Sequence, residues 1–411
     1  MLKRRSVLQA IGGAAALAAP GMVAKLARAA EAVPLTTGLP PGEYNTATLD
    51  ALPGKKPLIK LSYRPPNYET PTSYFASEFT PNDAFFVRYH LADIPDVIDP
   101  KTWKVKIGGE AAETPIELGL ADLQSGFEQV EIAAVCQCSG NRRGLSDPHV
   151  PGVQWGLGAM GNALWKGVRL KDILAKVGLK KEAIELVLNG AEGPILEKTP
   201  DFIKSIPVWK ALDENTLIAY SMNGQPLPHL NGAPARLIVP GWTATYWTKH
   251  IVTIDAVTKP FEGFWMKSAY RIPTGKFPVV DRFLTQEVPG STPITEIVVN
   301  SLITAPGGPL REKPGKPIEL RGIAWDGGYG VNRVEVSTDG GMNWHDATLG
   351  KDAGRFAFRQ WSFRFTPAKK GSYTILAKAS NKVGQTQADS LIFNPAGYHN
   401  NVPRPLTVTV A

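Results

Sequence analysis

The two cysteines of this 411-residue chain stand two residues apart, within Val135-Cys136-Gln137-Cys138-Ser139-Gly140-Asn141-Arg142-Arg143. With the pair so close, a disulfide would close only a tiny loop and remove little chain entropy. In a strand, residues i and i+2 share a face, yet their Cα atoms lie near the upper limit for bridging. A structural zinc site needs about four ligands, and no further Cys or Cys/His cluster supplies them. Two inert buried thiols are the plain alternative. Read as chemistry, a thiolate is a soft metal ligand, and adjacent guanidiniums are planar forks that grip oxyanions. Ligand and clamp together point to a metal centre acting on a small anion.

The length suggests two or three domains with more than one core. A net charge of +8 raises the question of an anionic partner. Residues 1–29 hold Lys3, Arg4, Arg5, Lys25 and Arg28 and no acid, so without them the charge falls to +3. A nucleic-acid footprint is therefore not supported. The same segment reads as an export signal, residues 1–30. Lys3-Arg4-Arg5-Ser6-Val7-Leu8 precedes an apolar run from Ile11 to Val23, and Ala27-Arg28-Ala29 is a small-x-small cleavage site. That pattern is a twin-arginine signal peptide. Its apolar run falls short of the ~20 residues that span a bilayer, and no later stretch reads as a span. A mature periplasmic protein, exported already folded, is expected. In that compartment a disulfide competes with ligation of the cysteines, and ligation is the preferred reading.

The run at Cys138 resembles the Cys-x-Gly-Asn-Arg-Arg signature of the sulfite oxidase family of molybdenum enzymes. The resemblance implies that Cys138, not Cys136, ligates molybdenum beside the dithiolene sulfurs of a pterin, and that Arg143 binds the anion. Phe85-Phe86-Val87-Arg88-Tyr89-His90, a β-type run that puts Arg88 and His90 on one face, resembles a second family motif lining the metal site. Gly232-Ala233-Pro234-Ala235-Arg236-Leu237-Ile238 resembles the segment whose arginine, here Arg236, binds the pterin phosphate. Where the family often has histidine this chain has Asn231, which implies either that a phosphate contact is lost or that His229 substitutes. Trp247, Thr248 and Lys249 stand where the family contacts the pterin. Trp265-Met266-Lys267-Ser268-Ala269-Tyr270 resembles the stretch with the active-site tyrosine, here Tyr270. Glu192 and Asp201 are the acids available to touch the cofactor, although exposed acids are the commoner case.

Residues 31–80, rich in proline, read as an extended arm. Residues 81–288 then read as the molybdopterin-binding domain. Strands are expected at Trp103–Ile107, Val130–Val135, Ile184–Leu188 and from Leu217, with helix at Leu118–Leu123 and Leu170–Val177. Past about residue 290, short alternating runs appear: Ile318–Ile323, Val331–Ser337, Trp361–Thr366, Tyr373–Ser380 and Leu406–Val410. Asp339-Gly340-Gly341 is a hairpin signal. This spacing predicts an immunoglobulin-like β-sandwich over 289–411, with Trp325, Trp344 and Trp361 in its core. Asp339 to Trp344 and Asn394 to Asn401 resemble landmarks of the family's C-terminal dimerisation domain. The fold class expected is α+β: a mixed sulfite-oxidase-type domain followed by the sandwich.

The resemblance spans roughly residues 60–411. It implies one molybdenum–molybdopterin per chain and no haem, since no Cys-x-x-Cys-His attachment is present. It implies a homodimer that oxidises sulfite to sulfate and passes electrons to an external c-type cytochrome. A sulfane dehydrogenase subunit of a thiosulfate-oxidising complex and a methionine-sulfoxide reductase of the same superfamily are the alternatives within that resemblance. A non-enzymatic binding module built on the C-terminal half is the alternative outside it.

Overall fold

Strand Val130–Gln137 carries Cys136 and ends one residue before Cys138. Its inner half is continuously buried, so Ala133, Ala134 and Val135 serve packing on both faces of the sheet. It pairs antiparallel along its whole length with Met160–Arg169, from Val130 opposite Gly167 to Gln137 opposite Met160. At Gly161, across from Cys136, a Cβ would fall 2.4 Å from the Phe85 ring. Glycine there lets Phe85 pack against the strand pair.

The computed structural model describes residues 32–34, 46–277 and 290–411. The expected export segment at 1–30, residues 35–45 and the expected 288/289 boundary fall outside the described residues. From Ala32 to Ala411 the chain forms one unit. The arm contributes strands Thr46–Asp50, Leu58–Ser62 and Asn67–Glu69 to an antiparallel sheet that ends on Val87–Arg88. The cysteine sheet has the order Gln225–Pro226, Leu217–Met222, Met160–Arg169, Val130–Gln137, with Arg236–Ile238 also paired to Leu217–Met222. A third sheet runs Lys204–Pro207, Glu185–Gly190, Ile251–Val257, Lys104–Gly108, Ile116–Gly119, with one parallel pair between Ile251–Val257 and Lys104–Gly108. The cysteine sheet and the third sheet share a core that includes Phe85, Trp155, Trp165, Trp242 and Trp247, while Leu58, Tyr68 and Val87 of the arm sheet cluster with Tyr89.

The α+β expectation overstates the helix. Among the described residues strand far outweighs helix, and the longest helix is the eight-residue Leu170–Val177. The first expected helix, Leu118–Leu123, begins on the last two residues of strand Ile116–Gly119 and continues as helix Leu120–Ser125. Phe85–His90 is strand only at Val87–Arg88. Strands Met160–Arg169 and Ile251–Val257 escape a pattern-based reading. The first is buried on both faces over its first half, leaving no clean alternation.

The C-terminal strands obey the period of two where one face is wet: Leu406–Val410 runs buried, exposed, buried, half-buried, buried. They form two sheets. One has the order Asn300–Ala305, Ile318–Trp325, Arg359–Phe365, Thr348–Leu349; the other runs Leu310–Glu312, Leu406–Val410, Gly371–Asn381, Val331–Ser337, His345–Asp346. Leu320 and Trp361 of the first share a core with Val334, Ala377 and Val408 of the second. The Asp339 signal holds: its Oδ1 accepts from Met342 N and Asn343 N at 3.0 and 2.9 Å, between two antiparallel strands. Trp325 and Trp361 are buried as expected, but Trp344 is half-exposed, with Lys378 over its ring at 5.4 Å. A further core joins Val135, Leu145 and Met160 to Leu302, Ile323 and Trp325. It seats the cysteine strand on the C-terminal sheets.

Candidate active site

Past Gln137 the chain leaves the sheet and turns. Asn141 N donates to Cys138 O at 3.0 Å, and Arg142 takes a left-handed φ of 70°. A neighbouring loop fixes the turn: Cys138 N donates to Ala159 O, and Arg142 N to Gly156 O, each at 2.9 Å. That loop is held in turn by Glu69, whose Oε2 accepts from Gly156 N at 2.8 Å. Burial pushes the Glu69 carboxyl up to about 8 against these backbone donors. Both cysteines are free and buried, which sets aside the disulfide reading.

The two arginines of the turn part company. Arg142 is 1% exposed and points into the protein. It donates to Ser301 O at 2.7 Å and Val402 O at 3.2 Å, and lies 5.9 Å from the Trp325 ring. It ties the turn to the C-terminal region. Arg143 stands in the wall of an open cleft of about 900 Å³, together with Arg88, Cys138, Trp265, Tyr270 and Tyr398. Its guanidinium donates to Ala396 O at 2.7 Å and Val153 O at 3.0 Å and lies over Tyr398 at 5.3 Å. Those contacts hold its plane in place.

On the other side of Cys138 lies a narrow pocket. Its cavity volume is about 40 Å³. The expected residues Arg88, His90, Cys138, Asn231, Arg236, Trp247, Thr248, Lys249 and Tyr270 all line it. Arg143 lines only the cleft. Cys138, Arg88 and Tyr270 line both spaces, so they are the hinge between pocket and cleft.

At the cleft end, Tyr270 has a left-handed φ of 59°, a conformation that costs a bulky residue energy and is found where surroundings impose it. Its carbonyl accepts from Ile294 N at 2.9 Å. Its hydroxyl shares a hydrogen bond with His90 Nε2. Burial raises the phenol, opposed by the charges of Arg88 and Arg143. Burial and the nearby Arg88, Lys249 and Lys204 hold the His90 imidazole well below its usual range, hence neutral. Phe202 stacks on His90 with centroids 3.4 Å apart. Burial alone would lower Arg88, but Tyr270 and Cys138 outweigh it and raise the guanidinium. Arg88 also donates to Asn67 Oδ1 of the arm at 3.1 Å.

The far end of the pocket is cationic. Arg236 donates to Asn231 O and to Trp247 O, each at 2.9 Å, and lies between the Trp165 and Trp247 rings at 5.4 and 5.8 Å. Cys136 Sγ stands 4.0 Å from Arg236, and burial pushes its thiol up to about 11. Lys249 Nζ, Arg236 Nε and Thr245 Oγ1 are buried without a hydrogen-bond partner. Burial lowers Lys249 well below its usual range, opposed by Glu192. Unpaired buried donors are costly, so this wall is shaped for an anion that supplies the missing acceptors. Glu192 lines the pocket, with Oε2 accepting from His90 N and Leu91 N at 3.1 and 3.2 Å. Asp201 does not; it accepts from Asn189 and from Phe202 N. His229 also faces elsewhere, bonded to Pro95 O at 2.7 Å.

Among the described residues no three His, Cys, Asp or Glu side chains converge to hold a metal. A metal at Cys138 must take its other ligands from the group that fills the slot. One thiol, a narrow slot and a cationic end with orphaned donors fit a molybdopterin, whose dithiolene and phosphate supply the complements. Sequence reasoning missed Phe202, Thr245, Ser139 and Tyr398. Phe202 and Thr245 stand in no motif that marks them; Ser139 is the variable position of the cysteine signature, and Tyr398 lies inside the Asn394–Asn401 landmark.

The arrangement defines a molybdopterin oxidoreductase. Residues 90–265 match the family described as oxidoreductase molybdopterin binding domain, and residues 291–409 match the Mo-co oxidoreductase dimerisation domain. The chain is 33% identical over 378 residues to mitochondrial sulfite oxidase of Macaca fascicularis, covering 87% of this chain and 67% of that one. It is 32% identical over 357 residues to sulfite oxidase of Gallus gallus, covering 82% and 75%. The chain thus spans about two thirds of the length of its mammalian relatives. The crystal structure of the sulfane dehydrogenase SoxCD from Paracoccus pantotrophus superposes with a TM-score of 0.71 at 25% identity, over 85% of this chain and 88% of that one. The chain belongs to the sulfite oxidase family of molybdenum enzymes.

Proposed function

We propose that this protein is a periplasmic sulfite dehydrogenase, a homodimer through an immunoglobulin-like C-terminal domain at 289–411, that oxidises sulfite to sulfate and passes electrons to an external c-type cytochrome. The observation that carries it is the position of Cys138 between an anion-shaped slot and a cleft walled by Arg88, Arg143 and Tyr270. When bound, the molybdenum–molybdopterin supplies the two-electron change and the oxygen transfer. Cys138 is the metal's protein ligand; Asn231, Arg236, Trp247, Thr248 and Lys249 hold the pterin end. Arg88 and Arg143 bind and orient a sulfur oxyanion. Their charge is in place before substrate arrives, so no reorganisation is needed as charge shifts during reaction. The Tyr270 hydroxyl donates to the anion, and neutral His90 holds that hydroxyl at its place. Trp265 and Tyr398 narrow the approach to water.

The test is sulfite-dependent reduction of an artificial one-electron acceptor by purified, molybdenum-replete protein, where rapid turnover is expected. A second reading, oxidation of sulfane sulfur borne on a carrier, is favoured by the SoxCD superposition and by a cleft larger than sulfite needs. Molybdenum bound, no sulfite turnover, and activity only with a persulfide carrier would select it. Methionine-sulfoxide reduction would show as oxidation of a reduced dye by that substrate. Export is tested by Arg4→Lys with Arg5→Lys, which is expected to leave the protein in the cytoplasm.

A further inference from the structure

Asn231 sits at the cationic end of the pocket, and an amide can turn either its oxygen or its nitrogen toward a ligand. A lysine from the arm decides which. Lys55 is 8% exposed and lies 176 residues from Asn231 in the chain. Its ammonium donates to Asn82 O at 2.6 Å, to Phe85 O at 3.1 Å and to Asn231 Oδ1. An ammonium has donors and no acceptor, so the amide oxygen must face Lys55 and the amide nitrogen must face away. One Nδ2 hydrogen goes to Phe86 O at 3.1 Å. The other is left for the pocket that Asn231 lines. Beside it stand Arg236, bonded to the Asn231 carbonyl, and Lys249, whose Nζ lies over the Tyr89 ring without a hydrogen-bond partner.

The lysine is expensive where it is. Burial pulls its ammonium down to about 7, and the charge of Asp83 opposes this only in part. Its acceptors are three uncharged carbonyl oxygens, and an apolar side chain of similar length would fill the space without that cost. An anion in the pocket favours the charged form of Lys55 by Coulomb attraction, so ligand and lysine support one another.

We propose that Lys55 is a positioning residue for the cofactor: by holding Asn231 Oδ1 it fixes Asn231 as an N–H donor toward the phosphate end of the bound pterin. The proposal rests on the molybdopterin reading of the pocket and assigns to the N-terminal arm a part in cofactor retention.

Three full-length variants test it, each made in a host that synthesises molybdopterin and again in one that does not. Lys55→Met removes the ammonium, and Lys55→Arg keeps a donor-only cation. Asn231→Asp keeps the shape and pairs with Lys55, yet presents only acceptors to the pocket. The readouts are molybdenum and pterin per chain, the rate of pterin release, and thermal melting of the cofactor-free protein. Lys55→Met and Asn231→Asp are expected to release pterin about tenfold faster than wild type, and Lys55→Arg to retain it. Cofactor-free Asn231→Asp is expected to melt at or above the wild-type temperature. Retention of pterin by Asn231→Asp at the wild-type rate would overturn the proposal even with the molybdopterin reading intact. So would a Lys55→Met variant whose release rate is unchanged. A wild-type protein from the competent host with no pterin would overturn the reading itself, and this inference with it.

Discussion

The catalytic region and the C-terminal sheets bury different polar groups: lysines and arginines in the first, amides, hydroxyls and a carboxylate in the second. Around the pocket, Lys249 Nζ and Arg236 Nε are buried without hydrogen-bond partners, and Lys55 and Lys204 are buried on neutral oxygens. Burial holds Lys204 well below its usual range. In the C-terminal region, Asp326 accepts from Gly328 N, Gly330 N and Asn381 at 3.0–3.2 Å. Ser301 and Gln387 bond each other at 2.7 Å and reach nearby backbone groups. The C-terminal region also leaves buried groups unbonded, at Trp361 Nε1, His399 Nε2, Asn400 Oδ1 and Arg404 Nε. The pocket gathers two cationic ones, Lys249 and Arg236, on one wall, which suits it to an anionic ligand.

The sharpest break of that contrast is at the thiols. Cys138→Ala is expected to lower turnover by about a thousandfold or more and to strip molybdenum, while Cys136→Ala leaves both largely intact. Loss of metal from Cys136→Ala alone would reverse the ligand assignment. Next, Tyr270→Phe keeps the ring against Tyr398 and removes the hydroxyl. Steady-state kinetics are expected to show kcat/KM down about a hundredfold, with thermal melting little changed.

On the C-terminal side the expected loss is in stability. Trp361→Ala empties a core site and is expected to cost about 3–5 kcal/mol in denaturant unfolding, with KM for sulfite unchanged in the protein that remains folded. A raised KM would show that the two regions are not separable.

Glu69 tests the support under Cys138 by pH. Its carboxyl is raised from 4.5 to about 8 by burial, so the folded protein holds a proton that the unfolded chain releases above 4.5. That contribution is fully present below pH 4.5 and is lost as pH rises toward 8. Glu69→Gln, which mimics the protonated form, is expected to flatten the fall in melting temperature between those limits. A parallel fall in the variant would place the proton elsewhere. Smallest of all, Lys351→Ala removes an exposed ion pair with Glu78 at 3.0 Å. It is expected to change stability by no more than about 0.5 kcal/mol.

Much of the fold was legible where one face of a strand meets water. Val331–Ser337 and Leu406–Val410 have the bounds their alternation predicts, and helix Leu170–Val177 follows its 3.6-residue period. Legibility failed where both faces are buried. Met160–Arg169 lies between two partner strands and loses its alternation over the buried half. The paired regions around Phe85–His90 read as a longer strand because aromatic and β-branched residues favour one, but only Val87 and Arg88 find a partner.

In the site, the resemblance of short motifs to the sulfite oxidase family marked Cys138, Arg88, Arg143, Arg236 and Tyr270; residue chemistry alone pointed only to a soft-metal ligand beside an anion clamp. What each side chain does was settled by contacts far apart in the chain. Arg142 and Arg143 are neighbours, yet one is spent on Ser301 and Val402 and the other is held over Tyr398. Asp201 and Glu192 are equally acidic, and only Glu192 reaches the pocket. The donor-only ammonium of Lys55 orients Asn231 across 176 residues. Local sequence determines periodicity and chemical type, because those depend on neighbours along the backbone. The direction of a side chain, and whether its donors are answered, depend on which strands the packed core brings together, and that is decided only in three dimensions.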